Sequence, residues 1–168
     1  MSRSIHGTTL LLLAVLAVGL FAWPAAAEVK SRVEGQTLIA QEPRDPASYI
    51  NFSRFLVKIG DLEEAQEILE TGRNKANKSA NLMVELAVVY EERGRLSKAE
   101  SAAHEAVALD PGNSDAHLRL GEIQFRMGRK KAGVVSYRRA QELEPEEALP
   151  RVRLANGLMD VGETAEAE

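Results

Sequence analysis

From Pro46 to the C-terminus, apolar residues recur at intervals of three and four, in runs separated by short polar breaks. That spacing predicts amphipathic helices. The clearest stretch is Ala80 to Asn113, ANLMVELAVVYEERGRLSKAESAAHEAVALDPGN. Two helix-periodic runs flank Gly94-Arg95, and Asp110-Pro111-Gly112-Asn113 closes the unit. The layout predicts two antiparallel helices joined by a tight turn. Pro46 to Ser79 reads the same way, with Asp45 placed to cap Pro46 at the first helical position and a break at Gly60-Asp61. Asp61 with Glu64, and Ser97 with Glu100, have capping-box spacing for the second helix of their units. A third unit, Ser114 to Glu147, breaks at Gly128-Arg129 and ends at Glu144-Pro145. A fourth starts at Ala148, breaks at Gly162-Glu163 and reaches Glu168 early in its second helix.

Gly60, Gly94, Gly128 and Gly162 are each 34 residues apart, and so are Pro111 and Pro145. A short turn between antiparallel helices needs a residue in the left-handed region, which glycine enters without a Cβ clash. The period is therefore a repeat of one helix pair. Each pair leaves an apolar face that only its neighbour covers, so the units must stack.

Residues 28–45 keep a weaker stripe of Val29, Val33, Leu38 and Ile39, interrupted by Gly35. They read as a degenerate half-repeat packing as an N-terminal cap. The first 27 residues follow a different pattern. Arg3 precedes Leu10 to Trp23, an uncharged apolar run of 14 residues, and Pro24 and Ala25-Ala26-Ala27 follow. This is the pattern of a secretory signal peptide cleaved after Ala27. The alternative is an uncleaved membrane anchor. Fourteen helical residues reach about 21 Å, short of a hydrocarbon core of about 30 Å.

The 34-residue unit resembles the tetratricopeptide repeat. The resemblance runs from Pro46 to Glu168, as units 46–79, 80–113, 114–147 and a partial 148–168. The large residue early in the first helix falls on Tyr49, Met83, His117 and Arg151. The large-small pair falls on Phe52-Ser53, Leu86-Ala87, Leu120-Gly121 and Leu154-Ala155, and the next large position on Leu56, Tyr90, Gln124 and Leu158. In the second helix the small residue falls on Ala65, Ala99, Gly133 and Ala167, the large one on Leu69, Ala103 and Tyr137, and the next small one on Gly72, Ala106 and Ala140. Gln124, Ala103 and Gly72 are weak versions of their positions. The resemblance implies an all-α fold, a right-handed superhelical solenoid of antiparallel helix pairs with about three and a half repeats.

Composition narrows function by exclusion. The chain has 45% hydrophobic and 27% charged residues, which suits a packed domain. Its net charge of −4 lacks the basic footprint of a nucleic-acid binder. There is no Cys, so disulfides and thiolate metal sites are excluded. His104 and His117 do not form a ligand pair, the carboxylates sit at helix starts and on polar faces, and the prominent glycines mark turns rather than a phosphate loop. No catalytic residue, cofactor, metal or small-molecule substrate is expected.

The resemblance implies instead that a partner protein or peptide lies against the first helices of successive repeats. The expected groove residues are Arg54, Val84, Glu85, Val88, Glu92, Leu118, Arg119, Glu122, Phe125 and Arg126, with Val152, Arg153, Asn156 and Met159 extending the strip. Val84, Val88, Leu118 and Phe125 would form an exposed apolar run, and Glu85 and Glu92 an acidic centre suited to a basic residue of the partner. Relatives that grip the terminal carboxylate of chaperone tails use Lys, Asn and Arg at places held here by Ile50, Arg54, Glu85, Asp115 and Arg119, and only Arg119 fits. The expected role is a non-catalytic scaffold or adaptor, periplasmic or secreted, touching a membrane only if the N-terminal segment stays uncleaved. Self-association is the alternative, with a second copy covering Leu154 and Leu158 at the unfinished C-terminal end.

Overall fold

The computed structural model describes residues 29–162, so the expected signal peptide and the start of the last second helix lie outside the described residues. Eight helices and no strands occur among the described residues. They are α1 (Arg32–Gln41), α2 (Pro46–Lys58), α3 (Leu62–Lys75), α4 (Ala80–Glu92), α5 (Leu96–Leu109), α6 (Ser114–Arg126), α7 (Lys130–Leu143) and α8 (Ala148–Val161). Each helix packs on the next, and the result is an all-α helical-repeat solenoid.

Local chemistry starts and stops these helices. Asp45, Asp61, Ser79 and Asn113 each accept a hydrogen bond from a backbone N–H in the first turn of the helix they precede. Ser97 does not cap α5. Arg95 occupies that place without a side-chain cap, and Ser97 lies inside the helix. The cause is the turn, in which Arg95 N donates to Tyr90 O at 2.8 Å and sets the entry point two residues early. Gly60, Gly94, Gly128 and Gly162 have φ of +83°, +70°, +77° and +84°, the left-handed conformation that the 34-residue spacing demands.

Gly35 does not interrupt the N-terminal helix. It lies buried inside α1, where a Cβ would sit 2.2 Å from Cδ2 of Phe52. Its role is close approach of α1 to α2. Val33 is correspondingly off the packed stripe, at 73% exposed, while Val29, Leu38 and the half-buried Ile39 face the core. Gly72 is likewise a tight contact, since a Cβ there would come 2.7 Å from Cγ of Tyr49. Gln124 is satisfied rather than weak, because buried Ser136 Oγ donates to its Oε1 at 2.8 Å.

The main core runs from Val29 to Ile123 and includes Phe52, Leu56, Leu69 and Leu86, all 0% exposed. Each such side chain contributes about 1.5–3 kcal/mol by leaving water. A second, smaller cluster of Leu118, Tyr137 and Ala140, flanked by Phe125 and Leu154, holds the C-terminal third. First helices also touch first helices, α2 with α4 and α4 with α6, and so form one wall. No comparable backbone contact joins α6 and α8.

Leu158 is 1% exposed, and Leu154 is half-buried against the small cluster. The exposed apolar residues of α8 are Leu149, Val152 and Met159.

Candidate functional site

Between α4, α6 and α8 the wall opens into a concavity of about 540 Å³, lined by Glu91, Glu92, Arg119, Glu122, Phe125, Arg126, Tyr137, Leu149 and Arg153. Its apolar floor follows from small residues. Gly133 and Gly157 let Phe125 lie flat, since a Cβ at Gly133 would be 2.2 Å from Phe125 Cδ2 and one at Gly157 would be 3.0 Å from its Cζ. Gly121 does the same for Tyr137, whose Cδ1 would lie 2.5 Å from a Cβ there. The two rings stack with centroids 5.2 Å apart.

The polar wall is an ion-pair network across three repeats. Arg119 Nη1 lies 3.2 Å from Glu91 Oε2 and 2.7 Å from Glu122 Oε2. Arg126 Nη1 lies 2.9 Å from Glu91 Oε1, and Arg153 Nε lies 3.0 Å from Glu122 Oε1. Arg119 Nε is buried without an acceptor. Buried carboxylates need such partners, and Glu91 has two.

Both tyrosines with strongly shifted pKa values are protonated structural groups. Tyr137 is pushed up to about 12, first by burial and then by the charge of Glu122. Tyr90 is also pushed up to about 12, first by burial and then by the hydrogen bond it donates to Glu70 Oε1 at 2.7 Å. An unfolded tyrosine titrates near its ordinary value of 10.0, so between pH 10 and 12 the unfolded chain releases protons that the folded chain retains. The tyrosine contribution to stability is intact below pH 10 and is lost as pH rises through 12. The urea midpoint is expected to fall across that window, and to fall less in Tyr90→Phe with Tyr137→Phe.

Of the residues expected in the groove, Glu92, Arg119, Glu122, Phe125, Arg126 and Arg153 line the concavity. Arg54 and Glu85 do not reach it. They pair with each other, Arg54 Nε lying 2.8 Å from Glu85 Oε1, so Glu85 is no open acidic centre. Val84 is half-buried against the main core, and Val88 is half-buried. Leu118 is only 7% exposed, and Phe125 is half-buried beside it. The expected exposed apolar run is therefore largely covered, because Val84 packs on the main core and Tyr137 and Leu154 share one cluster with Leu118 and Phe125.

Sequence reasoning missed Glu91, Tyr137 and Leu149 as lining residues. The period could have found two of them. Glu91 stands one repeat before the expected Phe125, and Leu149 stands one repeat after Asp115, a place used by relatives that grip chaperone tails. Tyr137 comes from a second helix, so the first-helix rule passes over it.

Residues 90–135 match the family model described as tetratricopeptide repeat. A thermophilic tetratricopeptide-repeat protein of Thermus thermophilus, TTC0263, superposes with a TM-score of 0.69 at 28% identity, over 76% of this chain and 71% of that one. The fold is a tetratricopeptide-repeat solenoid.

A second solved structure, the first tetratricopeptide domain of Spaghetti (RPAP3) bound to the HSP90 peptide SRMEEVD, superposes with a TM-score of 0.65 at 22% identity, over 70% of this chain and 94% of that one. A curated relative, the peroxisomal targeting signal receptor of Pichia angusta, is 33% identical over 74 residues, which is 44% of this chain. This chain matches only 13% of that receptor's length. Such a solenoid places side chains of successive repeats in register along one wall. Among the described residues there is no group of three or more His, Asp or Glu that could hold a metal ion, and no helix is long and apolar enough to cross a membrane.

Proposed function

We propose that this chain is an exported, non-catalytic scaffold that holds a segment of a partner protein in the concavity between α4, α6 and α8. The observation that carries this reading is the concavity itself. It is open to solvent, amphipathic and built from three successive repeats, with an aromatic floor beside a charged wall. A surface of that kind suits an extended or helical segment better than a small substrate. The likeness to a repeat domain bound to a peptide, and to a receptor for a targeting signal, supports the same class of role. Grip of a chaperone tail by the terminal-carboxylate route is disfavoured, since Ile50 is buried and Arg54 is engaged by Glu85. Export rests on the N-terminal pattern of Arg3, the apolar run and Ala25-Ala26-Ala27.

The test is site-specific photocrosslinking in the native host, using the chain expressed at full length. A benzoylphenylalanine replacing Leu149, on the concavity, is expected to capture a discrete partner. The same group replacing Val135, which is 68% exposed on α7 and does not line the concavity, is expected not to. Equal products from both positions would remove the concavity from the reading. The recovered protein is expected to begin at Glu28 and to partition outside the cytoplasm. A product of twice the chain mass from Leu149 would instead favour self-association, which the exposed Leu149, Val152 and Met159 also suit.

A further inference from the structure

The concavity's charges are unequally exposed. Glu91 and Glu122 are 7% and 16% exposed at their side chains, while Arg119, Arg126 and Arg153 are 30%, 51% and 45%. Of the three lining carboxylates only Glu92 is exposed. The lining residues carry equal formal charge of each sign, but the face offered to a ligand is cationic. A guanidinium has five N–H donors. Arg126 uses Nη1 on Glu91, and Arg153 uses Nε on Glu122, so each keeps further donors for an incoming acceptor without breaking its own pair. The apolar floor of Phe125, Tyr137 and Leu149 lies in the same concavity.

We infer that the partner segment is acidic and apolar: an Asp or Glu that meets Arg126 and Arg153, beside an aromatic or long aliphatic side chain that lies on Phe125 and Leu149. This rests on the concavity being a protein-binding site. It reverses the charge expected from Glu85 and Glu92, because Glu85 is already paired and Glu91 and Glu122 are sunk behind their arginines. A lysine-bearing segment would find guanidiniums at the surface and only Glu92 to receive it. Bidentate contact between guanidinium and carboxylate supplies both energy and orientation.

The probe is a random dodecapeptide phage library panned against the folded, processed chain. Enriched sequences are expected to place Asp or Glu within two positions of Phe, Trp or Leu. A synthetic copy of the most enriched one is then titrated by fluorescence anisotropy. Arg126→Gln with Arg153→Gln is expected to weaken binding about tenfold or more, and added salt to weaken it for the parent protein. Leu149→Ser is expected to weaken it independently. Arg139→Gln, an exposed change on α7 outside the concavity, is expected to leave it unaltered. Circular dichroism checks that each variant is folded. Enrichment of Lys- or Arg-bearing peptides that still compete at Leu149 would overturn the charge assignment and leave the concavity as a binding site. Absence of enrichment, or binding indifferent to every concavity variant, would overturn both.

Discussion

Leu86→Asp is expected to unfold more than the repeat that contains it. Leu86 is 0% exposed in the middle of α4, and α4 packs against α2, α3, α5 and α6. The substitution removes a buried isobutyl group and places a carboxylate where nothing is positioned to pair with it. Truncation alone costs about 2–5 kcal/mol, and the unpaired polar group adds to that. A total of about 5 kcal/mol rivals the whole stability of a domain this size. In a solenoid, each repeat is held mainly by its interfaces with neighbours. Loss of α4 therefore strips α2–α3 and α5–α6 of a partner at once. Far-UV circular dichroism in the absence of denaturant should show loss of most helical signal. Loss confined to one helix pair, with a remaining cooperative transition, would contradict the central role given to α4. Leu86→Ala, expected to cost about 2–5 kcal/mol while leaving a folded chain, calibrates the effect by urea titration.

The second large effect is expected from Gly133→Val. A single Cβ at this position already lies 2.2 Å from Phe125 Cδ2 and 3.0 Å from the backbone oxygen of Gly121. Neither can yield easily, since Phe125 is stacked on Tyr137 and Gly121 O belongs to α6. Overpacking costs about 1–3 kcal/mol, and a branched side chain against backbone belongs at the upper end. The damage should be regional. It falls on the small cluster of Leu118, Tyr137 and Ala140, while the larger core from Val29 to Ile123 keeps most of its contacts. Hydrogen exchange should show early loss of protection in α7 and α8 with α2 to α5 still protected. Binding in the concavity should disappear with it, because Phe125 can no longer form the floor. Uniform loss of protection along the chain would mean that the two clusters are one cooperative unit.

The glycines differ in how far their roles are legible in the chain. Gly60, Gly94, Gly128 and Gly162 announce themselves, because a turn conformation is a property of the backbone alone and recurs with the period. Gly35 and Gly72 read as an interruption and a weak position. Their function is steric and depends on Phe52 and Tyr49, which lie 17 and 23 residues away in the sequence. The groove residues divide in the same manner. The period names the first-helix positions, so Glu92, Arg119, Glu122, Phe125 and Arg126 were reachable. It does not reveal which of them the next helix covers, and it omits Tyr137 because that side chain enters from a second helix.

The sequence by itself determined the helix pairs, their turns and their stacking. All of these follow from spacing along one chain and from residue types, which are local quantities. Only the tertiary structure decided where the solenoid opens, that Leu118 and Leu158 are covered, and which charges face outward. Those outcomes depend on which arginine of one repeat reaches which carboxylate of another. Arg54 with Glu85, and Arg153 with Glu122, are pairs 31 residues apart whose polarity reverses between the two. The sign of the charge that the concavity exposes is set by that burial rather than by the count of charges, and burial is a property of packing.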